Sequence, residues 1–249
     1  MDEKVDLIFT FPTEAAMEAK ADTQGNIPVV FTLTQINDVG GGNLVNSIPE
    51  PGGNITGVRI ADHEIATKRL QILLEMVPNA KQVFVPYLKD YPNVPAQLEL
   101  LRPQAQTAGV QLIEFATASP QDLQTELDRR AASGDIGFDA ILTIPEPSSI
   151  TSAFYDILGK FAYDHRIPIG GALMTIDGND GSIFGLLPDA KTSGEQAAVS
   201  ADKIFKGTPA GTIPVGTLDN YFQINYKAAQ AFGLTVPEGL LKEADQVIR

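Results

Sequence analysis

The side chains that could do chemistry in this chain are hydroxyls, carboxylates, amides and tyrosines that directly follow short apolar runs. With no cysteine and only His63 and His165, the sequence excludes thiol catalysis and cysteine- or histidine-rich metal sites, so we expect no cofactor and no metal. It contains neither the G-x-S-x-G turn of a serine hydrolase nor a glycine-rich phosphate loop. Carboxylates such as Glu126 and Asp128 lie on predicted helix faces, where solvated surface is their usual role. No spacing of these carboxylates predicts a paired-carboxylate hydrolase, although the residue types alone leave that class open.

Two threonines and a polar loop follow the first two apolar runs. Thr10 and Thr13 stand after VDLIFTF at a predicted helix start, where free backbone N–H groups and the helix dipole favour an anion such as a ligand carboxylate. A plain N-cap threonine is the alternative. After IPVVFT, the stretch LTQINDVGGG carries Thr34, Asn37 and Asp38, of which Asp38 is suited to accept a hydrogen bond from a ligand ammonium. Asn-Asp before glycines is equally typical of a simple turn.

Aromatic and amide candidates follow the run QVFVPY. Tyr87 and Tyr91 suit stacking on an aromatic or apolar ligand group, although a tyrosine that anchors its own loop is at least as common. Asp90 precedes Tyr91, and Asn93 either caps the next helix or reaches a ligand. This loop is therefore a candidate for contact with a ligand side chain.

The last two candidate loops follow the runs FDAILTI and IPIGGAL. The first loop reads PEPSS and contributes Glu146, Ser148 and Ser149 as polar groups. The second places Gly171 and Ala172 at a strand end, where small residues allow either a ligand or a packing neighbour to approach the backbone. In open α/β sheets ligands bind beyond the carboxyl ends of the strands, which makes all of these loops candidates.

The elements that must position these residues are strands and helices in regular alternation. Such alternation predicts parallel sheets covered by helices, so the fold class is α/β. Runs such as AILTI and QVFVPY are apolar throughout, as expected for central strands that are buried on both faces. The predicted helices span residues 14–23, 65–77, 94–109, 120–132, 149–166 and 190–207.

Several helix ends are predicted by particular residues. Ser119 followed by Pro120 indicates a capped N-terminus, and Gly109 and Gly207 fall where a C-terminal reversal is expected. Pro103 lies inside the predicted helix 94–109, and we expect it to kink or restart that helix.

Net charge and hydropathy argue against some classes of binding partner. A formal net charge of −13 argues against a nucleic acid or an anionic membrane surface as partner. No run reaches the roughly 20 apolar residues of a membrane span. Residues 1–11 open with acidic residues instead of a basic region, so we expect no export signal in this chain.

The stretch PEPGGNITGV predicts a stiff turn before a strand, because Pro49 and Pro51 fix φ while Gly52 and Gly53 can adopt positive φ. The order IPVVF, NLVNSIPEPGGNITGV and ATKRLQILLEMVPNAKQVFV resembles the substrate-binding proteins of ABC transporters. The resemblance is to the subgroup that includes tryptophan- and tyrosine-binding members, and it extends from about residue 5 to residue 249.

This resemblance implies two Rossmann-like lobes of the type I periplasmic-binding-protein fold, with the ligand in a cleft between them. On that mapping the first lobe comprises residues 1–58 plus 216–249, and the second comprises residues 59–215. Relatives begin with a signal peptide and two further strand-helix units, so the first lobe is expected to be incomplete. A late start of the chain and a partner chain covering the sheet edge are both open explanations.

The function that the resemblance implies is that of an extracytoplasmic solute-binding protein without catalytic activity. It would present a small amino-acid-like or other polar ligand to an ABC permease, in the periplasm or outside the cell, with membrane anchoring of a longer form left open. Pro147 stands where relatives have an aspartate, and Glu146 is the candidate to replace that carboxylate. The alternatives are a ligand-sensing module of a signalling system and a partial domain that acts as an interaction surface, for instance in a homodimer.

Overall fold

The computed structural model describes residues 5–37, 42–172 and 181–249, with the backbone alone at 62–64 and 150. Contacts within the chain divide it into two compact units, each built from two segments. The first unit comprises Met1–Ala61 and Pro188–Asn220, and the second comprises Asp62–Leu187 and Tyr221–Arg249. Elements are numbered along the chain.

A four-stranded sheet forms the centre of the first unit, with strand order β1-β2-β3-β9 and all neighbours parallel. Its strands are Ile8–Thr10, Val29–Thr34, Ile55–Arg59 and Gly216–Thr217. Helices α1 (Thr13–Thr23) and α7 (Ala190–Phe205) and a 3-10 turn at Ala210–Thr212 complete the unit. Ala16 of α1 packs with Val29 on one face of the sheet, and Ala197 of α7 packs with Val30 on the other. Both faces of β2 are therefore covered.

The proline- and glycine-rich segment before β3 forms the predicted turn. Gly52 and Gly53 have φ of +75° and +59°, and the N–H of Gly52 donates to the carbonyl of Gly211 at 3.0 Å. The expectation of positive φ at these two glycines is confirmed, and β3 follows at Ile55.

A seven-stranded sheet forms the centre of the second unit, in the order β11-β10-β8-β7-β6-β4-β5. The five strands from β8 to β5 run parallel to one another, as do β10 and β11. The strands are β4 Gln82–Leu88, β5 Gln111–Thr117, β6 Ala140–Thr143, β7 Ile169–Gly171, β8 Ser182–Pro188, β10 Asn220–Asn225 and β11 Gln246–Ile248. The helices are α2 Asp62–Met76, α3 Val94–Ala108, α4 Pro120–Ala132, α5 Pro147–Ile150, α6 Ser152–His165, α8 Tyr226–Ala231 and α9 Glu238–Glu243.

Strand β4 is buried on both faces. Val83 and Val85 point into the apolar cluster that contains the buried leucines of α2 and α3, whereas Phe84 points into the cluster that contains those of α4 and α6. The α/β class and the prediction that the continuously apolar runs are central strands are confirmed.

The division of the chain differs from the one expected from the sequence. Residues 221–249 do not join the first unit, because β10 and β11 extend the sheet of the second unit beside β8. Conversely, α7 does not belong with the second unit, because its buried Ala197 packs on Val30 and Val58 of the four-stranded sheet.

Three helix ends follow the signals predicted from the sequence. Ser119 caps α4 by accepting from the N–H of Asp122 at 3.1 Å, and Gly109 ends α3 with φ of +70°. Gly207 follows α7 with φ of +94°. The expected restart at Pro103 is not found, since α3 runs through it as one helix. Pro103 and Glu99 are both exposed, so water can solvate the carbonyl that the proline leaves without a donor.

Candidate functional site

At the carboxyl edge of the first unit's sheet, two buried polar groups lie near the start of α1. Thr10 ends β1 and is 6% exposed, and among the described residues its Oγ1 has no hydrogen-bond partner. The Oγ1 of Thr13 accepts from the backbone N–H of Gln35 at 3.0 Å, which places Gln35 beside the first turn of α1. The Nε2 of Gln35 is likewise buried without a partner among the described residues. Pro12 precedes α1 and offers its first turn no side-chain cap.

The other residues predicted to contact a ligand at this edge differ from Thr10 in burial or in hydrogen bonding. Thr34 is fully buried and donates to the carbonyl of Thr32 at 2.7 Å, so its hydroxyl has a partner within the chain. Asn37 is exposed. Asp38 lies outside the described residues. Gln35 was not among the residues singled out from the sequence, although its position directly after an apolar strand was an available signal.

At the carboxyl edge of the second unit's sheet, the carboxylate of Glu146 joins two neighbouring loops. Its Oε2 accepts from the N–H of Leu88 and from the N–H of Ser148, both at 3.0 Å, and its Oε1 accepts from the Ser148 hydroxyl. Ser149 completes a capping box at the start of α5 through its hydroxyl, which lies 3.4 Å from the N–H of Glu146. Burial raises the pKa of Glu146, which is only 2% exposed, while the hydrogen bonds from Ser148 and Leu88 oppose that rise.

Asn93 adds a second link between the same loops. Its Nδ2 donates to the carbonyl of Pro145 at 3.0 Å, and its Oδ1 accepts from Nε2 of Gln97 at 3.3 Å. Asn93 occupies the predicted N-cap position of α3, but its side chain makes no hydrogen bond to the backbone of that helix. Gln97 is fully buried, and its Oε1 has no hydrogen-bond partner among the described residues. Nothing in the sequence pattern singled out Gln97, because a helical glutamine is usually on the surface.

Gly171 and Ala172 are held against β6. The N–H of Ala172 lies 3.0 Å from both the carbonyl and the Oγ1 of Thr143. A Cβ on Gly171 would lie 2.2 Å from the Thr143 carbonyl oxygen, and a Cβ on Gly170 would collide with the ring of Phe184. Close contacts within the sheet therefore account for the small residues at this strand end.

Three of the predicted residues, Tyr87, Asp90 and Tyr91, border one concavity of about 530 Å³. Burial, reinforced by the nearby Glu114 carboxylate, raises the pKa of Tyr87, so its hydroxyl stays protonated and can donate a hydrogen bond. Arg102 forms a bidentate pair with Glu114, with both N–O distances at 2.8 Å. The concavity is lined by Tyr87, Lys89, Asp90, Tyr91, Pro92, Val94, Pro95, Leu98, Glu99, Arg102 and Ala116. It combines an apolar wall with charges of both signs, and its volume lies within the range of small-molecule sites.

Over the described ranges there is no group of three or more histidine or carboxylate side chains placed to hold a metal ion. No helix in those ranges has both the length and the apolar character required to cross a bilayer.

Comparison with known proteins agrees with this architecture. The chain is 28% identical over 224 residues to the tyrosine-binding protein of Clostridioides difficile, an alignment that covers 88% of this chain and 60% of that relative. It is similar, at 26% identity and a TM-score of 0.79, to the solved ABC domain of Streptococcus pneumoniae in complex with L-Trp. A conserved domain protein from Vibrio cholerae gives the same two values, and in both structures 98% of this chain and 79% of the other are covered.

The family profile extends over nearly all of the sequence. The profile described as ABC transporter substrate binding protein matches residues 1–248, which include every element of both units. Strand order, helix placement and the family profile lead to one assignment: the chain belongs to the ABC transporter substrate-binding protein family.

Proposed function

We propose that this chain is the solute-binding component of an ABC importer and that it binds a free aromatic amino acid for delivery to a permease. The family is one of extracytoplasmic substrate-binding proteins and is not an enzyme family. The aromatic ligand class is supported by the tyrosine-binding relative and by the L-Trp complex, neither of which is more than 28% identical to this chain.

The observation that carries the proposal is the concavity at the carboxyl edge of the second unit's sheet. Tyr87 and Tyr91 offer rings against which an aromatic side chain can stack, and Leu98 extends that apolar wall. Lys89 and Asp90, on the same concavity, carry the two charges that a zwitterionic amino acid requires. This is the chemistry expected at a strand-end site of an α/β sheet.

Ligand binding can be measured by fluorescence because the chain contains no tryptophan. The fluorescence of added L-tryptophan is therefore observed without a tryptophan background from the protein, and L-tyrosine can be tested as its competitor. We expect saturable binding that Tyr91→Ala weakens about tenfold or more, the usual effect of losing an aromatic contact and its buried area. Tyr163→Ala is the matched control, since Tyr163 lies on α6, is 52% exposed and does not line the concavity.

The edge of the first unit is a second candidate location for the ligand, favoured by the buried Thr10 and Gln35. Thr10→Val removes a hydroxyl that has no partner among the described residues, so it should leave the melting temperature unchanged or raise it. If the ligand carboxylate bonds that hydroxyl, the same variant weakens binding while Thr10→Ser retains it. Unchanged binding in both Thr10 variants, together with a loss in Tyr91→Ala, places the dominant contacts at the concavity.

A further inference from the structure

Glu146 occupies an unusual place in the sheet of the second unit. The backbone pairing of β4 with β6 joins Val83 to Ala140 and Phe84 to Ile141, and β6 ends at Thr143. Leu88 lies beyond those pairs, and its N–H donates to the carboxylate of Glu146 instead of to a strand carbonyl. The Glu146 side chain therefore bonds to β4 at a position beyond the backbone pairs between β4 and β6.

The loop that follows Leu88 is the one that borders the concavity. Residues 89–92 lie directly between the Leu88 contact and Asn93, which is itself linked to the carbonyl of Pro145. The loop is consequently held at both ends by the segment 145–148. Asp90 has φ of +61°, a left-handed turn conformation that aspartate tolerates better than most other residues.

We propose that Glu146 is a positioning residue: its carboxylate holds the loop 88–93 in the conformation that binds ligand, without contacting the ligand itself. The proposal rests on the proposed function, and it replaces the expectation of direct contact between Glu146 and an amino-acid ligand. Both carboxylate oxygens already accept hydrogen bonds from within the chain, and the residue is 2% exposed.

The chain provides a matched control at the other end of the same strand. The Oδ2 of Asp139 accepts from the N–H of Lys81 at 2.6 Å and of Gln82 at 2.9 Å, where β4 begins. Asp139 and Glu146 therefore flank β6 and hold β4 by the same type of bond, one at each end. Only Glu146 bonds next to the loop whose residues 89–92 line the concavity, through the N–H of Leu88.

The test compares Glu146→Ala, Glu146→Gln and Asp139→Ala in affinity for L-tryptophan and in hydrogen exchange of the Leu88 amide. Because Glu146→Ala removes the hydrogen-bond acceptor of the Leu88 N–H, we expect it to weaken binding and to speed Leu88 exchange, each on the order of tenfold. Glu146→Gln should stay within about threefold of the wild type, because its amide oxygen can accept from both N–H groups and its NH₂ can donate to the Ser148 hydroxyl. Asp139→Ala should retain wild-type affinity even where it lowers the melting temperature.

Three results would overturn the proposal. In the first, Glu146→Ala leaves Leu88 exchange unchanged. In the second, Asp139→Ala weakens binding as much as Glu146→Ala does, which would reduce the effect to general stability. In the third, Glu146→Gln binds as poorly as Glu146→Ala while Leu88 exchange remains slow. That result would show that ligand binding requires the charge of Glu146, as direct contact with the ligand would. If the wild type binds neither aromatic amino acid, the proposed ligand class fails, while Leu88 exchange still tests the hold on the loop.

Discussion

Gly171 lies so close to Thr143 that no side chain fits between the two strands. A Cβ at position 171 would be 2.2 Å from the Thr143 carbonyl oxygen and 2.8 Å from its backbone nitrogen, and the φ of Gly171 is +139°. Both obstacles are backbone atoms of a central strand, which cannot rotate away as a side chain could. Sterics and backbone conformation therefore both require glycine here.

Gly171→Ala should destabilise the protein by roughly 2 kcal/mol or more, because strand β7 must shift or adopt a strained φ. Gly194→Ala is the matched control. It lies within α7 with nothing near the added Cβ, and it should stabilise the protein by roughly 0.5–1 kcal/mol. Urea unfolding followed by circular dichroism measures both. A Gly171→Ala protein as stable as the wild type would contradict the geometry of this strand pair.

Glu146 should make stability depend on pH in a defined direction. Burial raises its pKa in the folded protein above the ordinary value of 4.5, so the folded state holds the proton more tightly than the unfolded state. Stability from this group is complete below about pH 4.5 and is lost as the pH rises through the folded value. Glu146→Gln removes the titration, so its free energy of unfolding relative to the wild type should increase with pH across that interval. A difference that is constant from pH 4 to pH 8 would contradict the raised pKa.

Arg130 and Arg129 both pair with Glu126, yet Arg130 is only 16% exposed and has further partners. Its guanidinium lies 5.4 Å from the ring centroids of Phe84 and Phe138, and its Nη1 donates to the carbonyl of Ile136 at 2.9 Å. Arg130→Lys should destabilise the protein by about 1–2 kcal/mol, since an ammonium cannot reproduce these contacts together. Arg129→Lys, at a side chain that is 63% exposed, should leave the unfolding midpoint unchanged. Equal effects of the two substitutions in urea unfolding would refute this assignment.

Ser119 should contribute to stability through the cap on α4. Ser119→Ala removes the acceptor for the Asp122 N–H and should cost about 1 kcal/mol, whereas Ser119→Asp retains an acceptor and should cost little. Thermal unfolding of the two variants side by side measures the cap. Identical melting temperatures for both variants would show that the cap does not contribute to stability.

Elements with a strong local pattern are predictable from the sequence. β4 matches the run QVFVPYL, and α4 matches the predicted helix 120–132, because an apolar run and a Ser-Pro start determine those elements locally. The division into units depends instead on which sheet a strand joins. The patterns of α7 and β10 fit either sheet, and only long-range pairing places β10 beside β8.

The contacts within the candidate site likewise depend on long-range pairing that the local sequence does not reveal. Residue types and their positions after the strands predicted a group of neighbouring polar and aromatic side chains. Tyr87, Asp90 and Tyr91 do border one concavity. They did not predict which groups bond to one another. The contact from Leu88 to Glu146 joins residues 58 apart in sequence and exists only because β4 and β6 are neighbours in the sheet.

Titration calorimetry of the purified chain with L-tryptophan and L-tyrosine, with D-tryptophan as the control, would show whether the chain binds a free aromatic amino acid. We expect saturable binding of at least one L-amino acid at one site per chain and much weaker binding of the D-enantiomer. No heat of binding with either L-amino acid, from a chain whose circular dichroism shows its folded α/β structure, would contradict this expectation.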